Sequence, residues 1–394
     1  MPRLFPSLAG VPKNLRFTYP LAEVTAMRHV RTCAIWVVSC SLIGLACDAN
    51  AKDAKEAVAA IEKQANEVYL QGRYAEAFAA YRKAAERGSA HSQMLLGYMY
   101  ADGKGTAKDP AQAFEWITKA AEQDDVAAED LLGILYQRGQ GTAQDYAQAL
   151  TWYSKAARQG DAGAENNVGM LYWQGKGIAE NDACALAWFT RAAEQGYAEA
   201  ENNLGSMYMR GAGTAQDYAR ALAWFGKAAG QGNAEAEHNL GWMYQEGAGT
   251  ARDNAQAVAW YTKAAEQGLT SAEDNLGVMY YAGRGTTQDY AQAFKWFSKA
   301  AAQGSATAQC NLGLLYLKGQ GVAADSALAR AWLEKSASLG NGSAKEQLAA
   351  LERPTPASVQ STANGSESIR QLAPAAAPDH RDGGGYSPGA ALAQ

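Results

Sequence analysis

Residues 198–232 read AEAENNLGSMYMRGAGTAQDYARALAWFGKAAGQG. In the first half, Ala200, Leu204, Met207 and Tyr208 follow an i, i+4, i+7, i+8 spacing, which predicts an amphipathic helix (helix A). Gly211-Ala212-Gly213-Thr214 interrupts it as a loop. Asp217 then suits an N-cap, because its carboxylate can accept a bond from an orphan backbone N–H. Helix B follows with Trp224 and Lys227-Ala228-Ala229, and Gly232 ends it as a left-handed C′ residue. The stretch is one helical hairpin.

The hairpin recurs every 36 residues. Gly97, Gly133, Gly169, Gly205, Gly241, Gly277 and Gly313 form one series. Tyr100, Tyr136, Tyr172, Tyr208, Tyr244, Tyr280 and Tyr316 form a second, and Trp116, Trp152, Trp188, Trp224, Trp260, Trp296 and Trp332 a third. The cap register holds Asp109, Asp145, Asn181, Asp253, Asp289 and Asp325. The terminating glycine recurs at 88, 160, 196, 268, 304 and 340, with Asp124 in its place once, where local strain is expected. A lone hairpin cannot bury both faces, so stacked neighbours must share one core: an all-α solenoid. The glycine inside helix A costs about 1 kcal/mol against Ala. Close contact with a facing aromatic, from the Trp or Tyr series, is the expected reason for it.

The pattern carried by Ala200, Leu204, Gly205, Tyr208, Gly211, Gly213, Asp217, Ala221, Trp224, Ala228, Ala229 and Gly232 resembles the Sel-one-like repeat (SLR), a branch of the tetratricopeptide superfamily. The resemblance covers about residues 56–341. It implies a right-handed superhelix of antiparallel helix pairs, with helix A on the concave side. It also implies an adaptor or scaffold role, including in bacterial envelopes and at host interfaces. Seven units are expected over 90–341, beginning at 90, 126, 162, 198, 234, 270 and 306. Residues 56–89 turn at Gln71-Gly72-Arg73 without the Gly-x-Gly loop and resemble an ordinary tetratricopeptide hairpin, expected to cap the array. A short helix is expected over 343–351. The Pro-, Ala-, Gly- and Ser-rich remainder, 352–394, reads as a disordered tail.

Cys33–Ala46 is an uncharged apolar run, too short to span a bilayer. Met27, Arg28 and Arg31 precede it, and Ala49-Asn50-Ala51 follows as a cleavage site. Residues 27–51 therefore read as a signal peptide, and 1–26 as an over-extended, disordered start. The expected mature chain begins after Ala51, has no transmembrane span, and is periplasmic or secreted. Gly44 stands where a lipoprotein box has leucine, so lipidation at Cys47 is not expected.

The formal net charge of −5 offers no basic footprint, so no nucleic-acid partner is expected. Cys184 and Cys310 are the only cysteines after Cys47, more than three units apart, so they read as free thiols and suggest neither a disulfide framework nor a metal site. Cys184, early in helix B, is expected to be exposed. Gly103-Lys104-Gly105-Thr106 lacks the strand-to-helix context of a phosphate loop and reads as a turn. His91, His238 and His380 are too scattered for a triad. Glu129, Glu165, Glu201, Glu237 and Glu273 read as a solvated edge. Asn167, Asn203, Asn239, Asn275 and Asn311 are expected to bond backbone between neighbouring helices. No catalytic residue, metal or cofactor is assigned. β-Lactamase-like relatives within the family carry paired cysteines in each unit, which this chain lacks.

Positions that recur build the stack, so function is sought where the units differ. On helix A three rows vary along one face. The first is Met94, Asp130, Asn166, Asn202, His238, Asp274 and Cys310. The second is Tyr98, Ile134, Met170, Ser206, Trp242, Val278 and Leu314, and the third is Ala101, Gln137, Trp173, Met209, Gln245, Tyr281 and Leu317. From these, Tyr98, Met170, Trp173, Met209, Trp242 and Tyr281, flanked by Asp130, His238 and Asp274, are the candidate partner-binding groove. The expected partner is a protein or peptide, with a cell-envelope glycan as the alternative.

Overall fold

A computed structural model describes residues 53–352, whose regular structure is entirely helical. The segments expected to be a signal peptide, an over-extended start and a disordered tail lie outside these residues, apart from Glu352 itself. The helices are α1 (residues 53–70), α2 (Tyr74–Ala85), α3 (Ala90–Asp102), α4 (Pro110–Ala121), α5 (Val126–Arg138), α6 (Tyr146–Arg158), α7 (Ala162–Gln174), α8 (Asp182–Glu194), α9 (Ala198–Arg210), α10 (Tyr218–Gly230), α11 (Ala234–Glu246), α12 (Asn254–Glu266), α13 (Thr270–Ala282), α14 (Tyr290–Ala302), α15 (Ala306–Lys318), α16 (Ser326–Ser338) and α17 (Gly342–Glu352). They fall into two compact units that divide between Asp125 and Val126.

In the first unit, α1 and α2 meet at a turn where Gly72 takes a positive φ of 76°. Ala65, Val68, Ala77, Tyr81 and Met99 make its core, joining that hairpin to α3. In the second unit, six hairpins from α5 to α16 pack in chain order and α17 closes the series. Each is an α-solenoid segment.

The same local devices shape the hairpins from α3 to α16. Asp145 Oδ1 accepts from Ala147 N and Gln148 N, and Asp109, Asp253, Asp289 and Asp325 repeat this double cap. The cap residue also donates its own N–H to the recurring tyrosine carbonyl, as Asp217 does to Tyr208 at 2.9 Å. This clamps the end of helix A to the start of helix B and explains why the two positions recur together. Gly213 sits against the preceding hairpin, where a Cβ would lie 2.5 Å from the Asp182 carbonyl oxygen. Asp124 adopts φ 60°, so the turn survives without glycine in a conformation that costs an L-residue energy.

The glycine inside helix A answers to a different neighbour from the one expected. A Cβ on Gly205 would lie 2.8 Å from Phe225, and the same residue one beyond the Trp faces each copy: Ile117, Tyr153, Phe189, Tyr261, Phe297 and Leu333. The Trp series instead lies across the preceding cluster, half-buried except for the buried Trp296, as Trp224 does over the cluster of Phe189 and Leu204. A cation three residues on lies over each ring, such as Lys227 Nζ at 3.7 Å from the Trp224 centroid.

The glutamate ladder is buried, contrary to the solvated edge expected of it. Its position on helix A faces the C-terminal end of the same unit's helix B. There Gln159, Gln195, Gln231, Gln267 and Gln303 each donate to the carboxylate at 2.8 Å. Lys155 and Arg191 add ion pairs to Glu129 and Glu165 at 2.8 and 2.6 Å. Burial raises the pKa of Glu201, Glu237 and Glu273, against the lowering pull of these partners. Neutral glutamines hold the position at 93 and 309, where they donate to the carbonyls of Ala85 and Ala301.

Candidate functional site

The A helices of the second unit are α5, α7, α9, α11, α13 and α15. Their first variable row is not a free surface. From α7 to α13 the asparagine of the following A helix reaches back to it: Asn167 Nδ2 donates to Asp130 Oδ1 at 3.0 Å, Asn203 to Asn166 at 2.9 Å, and Asn239 to Asn202 at 2.9 Å, whereas Asn311 Nδ2 of α15 makes no such bond to Asp274. Asn275 Nδ2 lies 2.9 Å from His238 Nε2. The ladder therefore bonds side chains rather than the backbone. An Asn amide donates, so its partner must present an acceptor; Asp, Asn and neutral His all do.

Burial divides the candidate residues. Trp173 has no exposed surface; it meets Phe189 edge-on with centroids 5.8 Å apart and belongs to the cluster of Ala185, Leu204 and Met207. Its row turns toward helix B of its own unit, so it is core and not a partner anchor. Met209 is buried in the same manner against Phe225 and Met243. His238 is fully buried, 5.4 Å from the Tyr261 ring. These three are corrected from groove to core because helix B of their own unit packs against each of them, and the next unit joins in the cover over Trp173 and Met209.

Asp274 is buried and accepts from the Ser305 hydroxyl. Burial pushes its pKa up to about 6, the hydrogen bond opposing and Glu273 adding. Tyr281 is buried against Tyr290, and its hydroxyl bonds Gln320 at 3.2 Å and Lys318 at 3.3 Å. Tyr281 thus ties its unit to the next, Asp274 ties its helix to the N-cap of α15, and both offer a partner little surface. Tyr98 lies in the first unit, buried, with Lys104 Nζ 3.4 Å from its hydroxyl. Burial first, and Asp102 second, raise its pKa.

Three candidates keep accessible surface: Asp130, Met170 and Trp242. Asp130 is half-buried, and burial first and the Asp161 charge second push its pKa up to about 7. Met170 and Trp242 occupy the same height on α7 and α11, with Ser206 of α9 between them in register. Two carboxylates missed by the sequence reading, Glu199 and Glu235, stand at the second residue of α9 and α11. Glu199 is exposed and Glu235 half-buried. Their signal was present: at that register the other A helices of this unit carry Ala127, Gly163, Ser271 and Thr307.

Cys184 is half-buried rather than exposed, and Cys310 is buried, which pushes its thiol pKa up to about 11; both are free. Among the described residues no group of His, Cys, Asp and Glu could hold a metal ion, and no helix is long and apolar enough to cross a membrane.

Seven consecutive segments, 90–125, 126–161, 162–197, 198–233, 234–269, 270–305 and 306–341, match the Sel1 repeat. Among solved structures, the chain is similar to a Sel1 repeat protein from Oxalobacter formigenes (34% identity, TM-score 0.58, covering 76% of this chain and 90% of that one). It is also similar to c5321, described as a protective antigen of uropathogenic Escherichia coli with an SLR fold (32% identity, TM-score 0.55, covering 75% of this chain and 72% of that one). No curated protein matches the chain.

Proposed function

Since the chain belongs to the Sel1 repeat family, commonly a protein-interaction scaffold, we propose that it is an exported scaffold that binds a protein or peptide along the face carried by its A helices. One observation carries the reading: Met170 on α7 and Trp242 on α11 keep accessible surface at the same height, with α9 between them, while the rest of the variable aromatic and methionine set is sealed. Aromatic and methionine side chains left open at the same height make an adaptable apolar anchor for a partner. Export rests on the apolar run Cys33–Ala46 and the Ala49-Asn50-Ala51 site.

A photo-crosslinking amino acid placed at 242 should trap a discrete partner in living cells, and one at the exposed Ala223 of α10 should not. Identical products from both positions, or none from 242, would remove the A-helix face as the binding surface. Separately, N-terminal sequencing of protein from its native cells should begin at Lys52; an intact leader there would end the export reading.

A further inference from the structure

Leu328 and Leu339 of α16 are 44% and 56% exposed. They stand at two registers that the other 36-residue repeats give to glutamine, arginine or cysteine. The first holds Gln112, Gln148, Cys184, Arg220, Gln256 and Gln292, and the second holds Gln123, Gln159, Gln195, Gln231, Gln267 and Gln303. Those residues are themselves exposed or half-buried although another hairpin follows each. The leucines therefore do not owe their exposure to the end of the array.

Leu339 also deprives its hairpin of a hydrogen bond. In the first repeat Gln123 Nε2 donates to Gln93 Oε1 at 2.7 Å, and in the next five the glutamine donates to the buried glutamate. A leucine cannot donate, and the buried Gln309 Oε1 is left without a partner, at a cost to the fold. Lys335, one turn before Leu339, differs from its equivalents as well. Lys155 and Arg191 pair with Glu129 and Glu165, whereas the ladder position of the last repeat is Gln309, and among the described residues Lys335 makes no ion pair. Its Nζ lies 5.2 Å from the Trp332 ring centroid. Neither leucine serves the fold, and one works against it.

Leu328, Trp332, Lys335 and Leu339 follow the i, i+4, i+7, i+11 spacing of a coiled-coil seam, and they fall within about 60° of one another around the helix. Read along the seam, the order is Leu, Trp, Lys, Leu, which complements itself when reversed. Two α16 helices laid antiparallel about a twofold axis set each Leu328 against the other copy's Leu339. They also set each half-buried Trp332 ring against the other copy's Lys335, a cation over an aromatic face. We propose that this stripe joins two copies of the chain in an isologous contact. A second copy is the occupant because the stripe matches itself: its apolar ends meet apolar ends, and its one unpaired cation meets its one aromatic ring. A single seam of this length is small, so the dimer is weak, with a dissociation constant in the micromolar range. The A helices take no part, and the pair carries the proposed partner-binding face twice.

Sedimentation velocity on the chain expressed in its native cells should show a monomer passing to a dimer as concentration rises through the micromolar range. Leu328→Gln with Leu339→Gln gives α16 the residues its equivalents carry. It should fold, as far-UV circular dichroism would show, yet dissociate at least about tenfold more readily. Leu339→Gln alone should raise the urea midpoint of the monomer while weakening the dimer, since it returns a donor to Gln309. Leu70→Gln, at the exposed leucine that ends α1, should leave the dimer intact. Under mild oxidation Leu328→Cys with Leu339→Cys should crosslink two copies. Leu339→Cys alone should not, because antiparallel pairing holds the two 339 positions about 16 Å apart. A monomer at every concentration, a dimer that survives the double glutamine change, or fast crosslinking by Leu339→Cys alone would overturn the pairing. So would a monomer that dimerises only when cut after Glu352, which would give the stripe to the residues that follow it in the same chain.

Discussion

Replacing Gly205 with Ala sets two known effects against each other. Helix propensity favours the alanine by about 1 kcal/mol. Against this, the new Cβ would lie 2.8 Å from both Cδ1 and Cε1 of Phe225 and 3.2 Å from Cγ. Carbon atoms rest at about 3.5–4.0 Å, so the ring must retreat by more than half an ångström. It has nowhere to go: Phe225 is fully buried among Ala221, Ala228 and Leu240. Overpacking of this kind costs about 1–3 kcal/mol, and the helices must spread if the ring holds. The expected net loss is about 0–2 kcal/mol. Stability in a repeat array is held unit by unit with neighbour coupling, so the loss should be local. Native-state hydrogen exchange should show weakened protection in α9 and α10 and unchanged protection in α15 and α16. Phe225→Leu should couple to it, the double variant losing about 0.5–3 kcal/mol less than the sum of the singles. A Gly205→Ala protein about 1 kcal/mol more stable, as propensity alone demands, would refute close contact as the reason for the glycine.

Trp173→Ala should cost about 3–5 kcal/mol by urea unfolding, and Trp173→Phe should leave partner capture unchanged; loss of capture in a folded Trp173→Phe protein would return the residue to the groove. Glu165→Ala should cost about 1–3 kcal/mol through lost bonds to Gln195 and Arg191, whereas Glu165→Gln, which recreates the arrangement at Gln93, should cost less than about 1 kcal/mol; equal losses would mean that the charge, not the hydrogen bonding, matters. Asp130 titrates near pH 7 when folded and near 3.8 when unfolded, so the unfolded state gives up its proton first and stability falls as pH rises between those values. Three pKa units would correspond to about 4 kcal/mol; partial exposure reduces this to about 1–2 kcal/mol. Asp130→Asn should therefore match the natural protein near pH 4 and exceed it by that amount near pH 8, and a gap that shrinks with rising pH would contradict the assignment.

The helical hairpin was legible in residues 198–232 because its signals are local: the Asp217 cap, the Gly232 stop and the apolar spacing each act within a turn or two. Contacts between helices were less legible. Gly205 announced a close neighbour, but spacing alone did not distinguish Trp224 from Phe225, which point about 100° apart on one helix. The glutamates looked solvated because a carboxylate at helical spacing usually is. Their burial depends on Gln159 and its equivalents, 30 residues downstream, a pairing visible only once the hairpin is closed. Asp130, Met170 and Trp242 kept access to solvent, while Trp173 and His238 did not, and nothing in a single helix could separate them.

The larger error was to equate variation with exposure. Asp130, Asn166, Asn202 and His238 differ from unit to unit, yet each meets the same asparagine from the next A helix at 2.9–3.0 Å. The recurring donor tolerates several chemistries provided that each presents an acceptor, so the residue can drift without breaking the rung. At Met94 and Cys310 the row ends in residues that are apolar or only weak acceptors, and the positions 37 residues beyond them are Leu131 and Gln347 rather than asparagine. Variation along these four rungs is thus constrained by a hydrogen-bond rule: any residue that presents an acceptor keeps the rung, so variation alone does not mark a surface open to a partner.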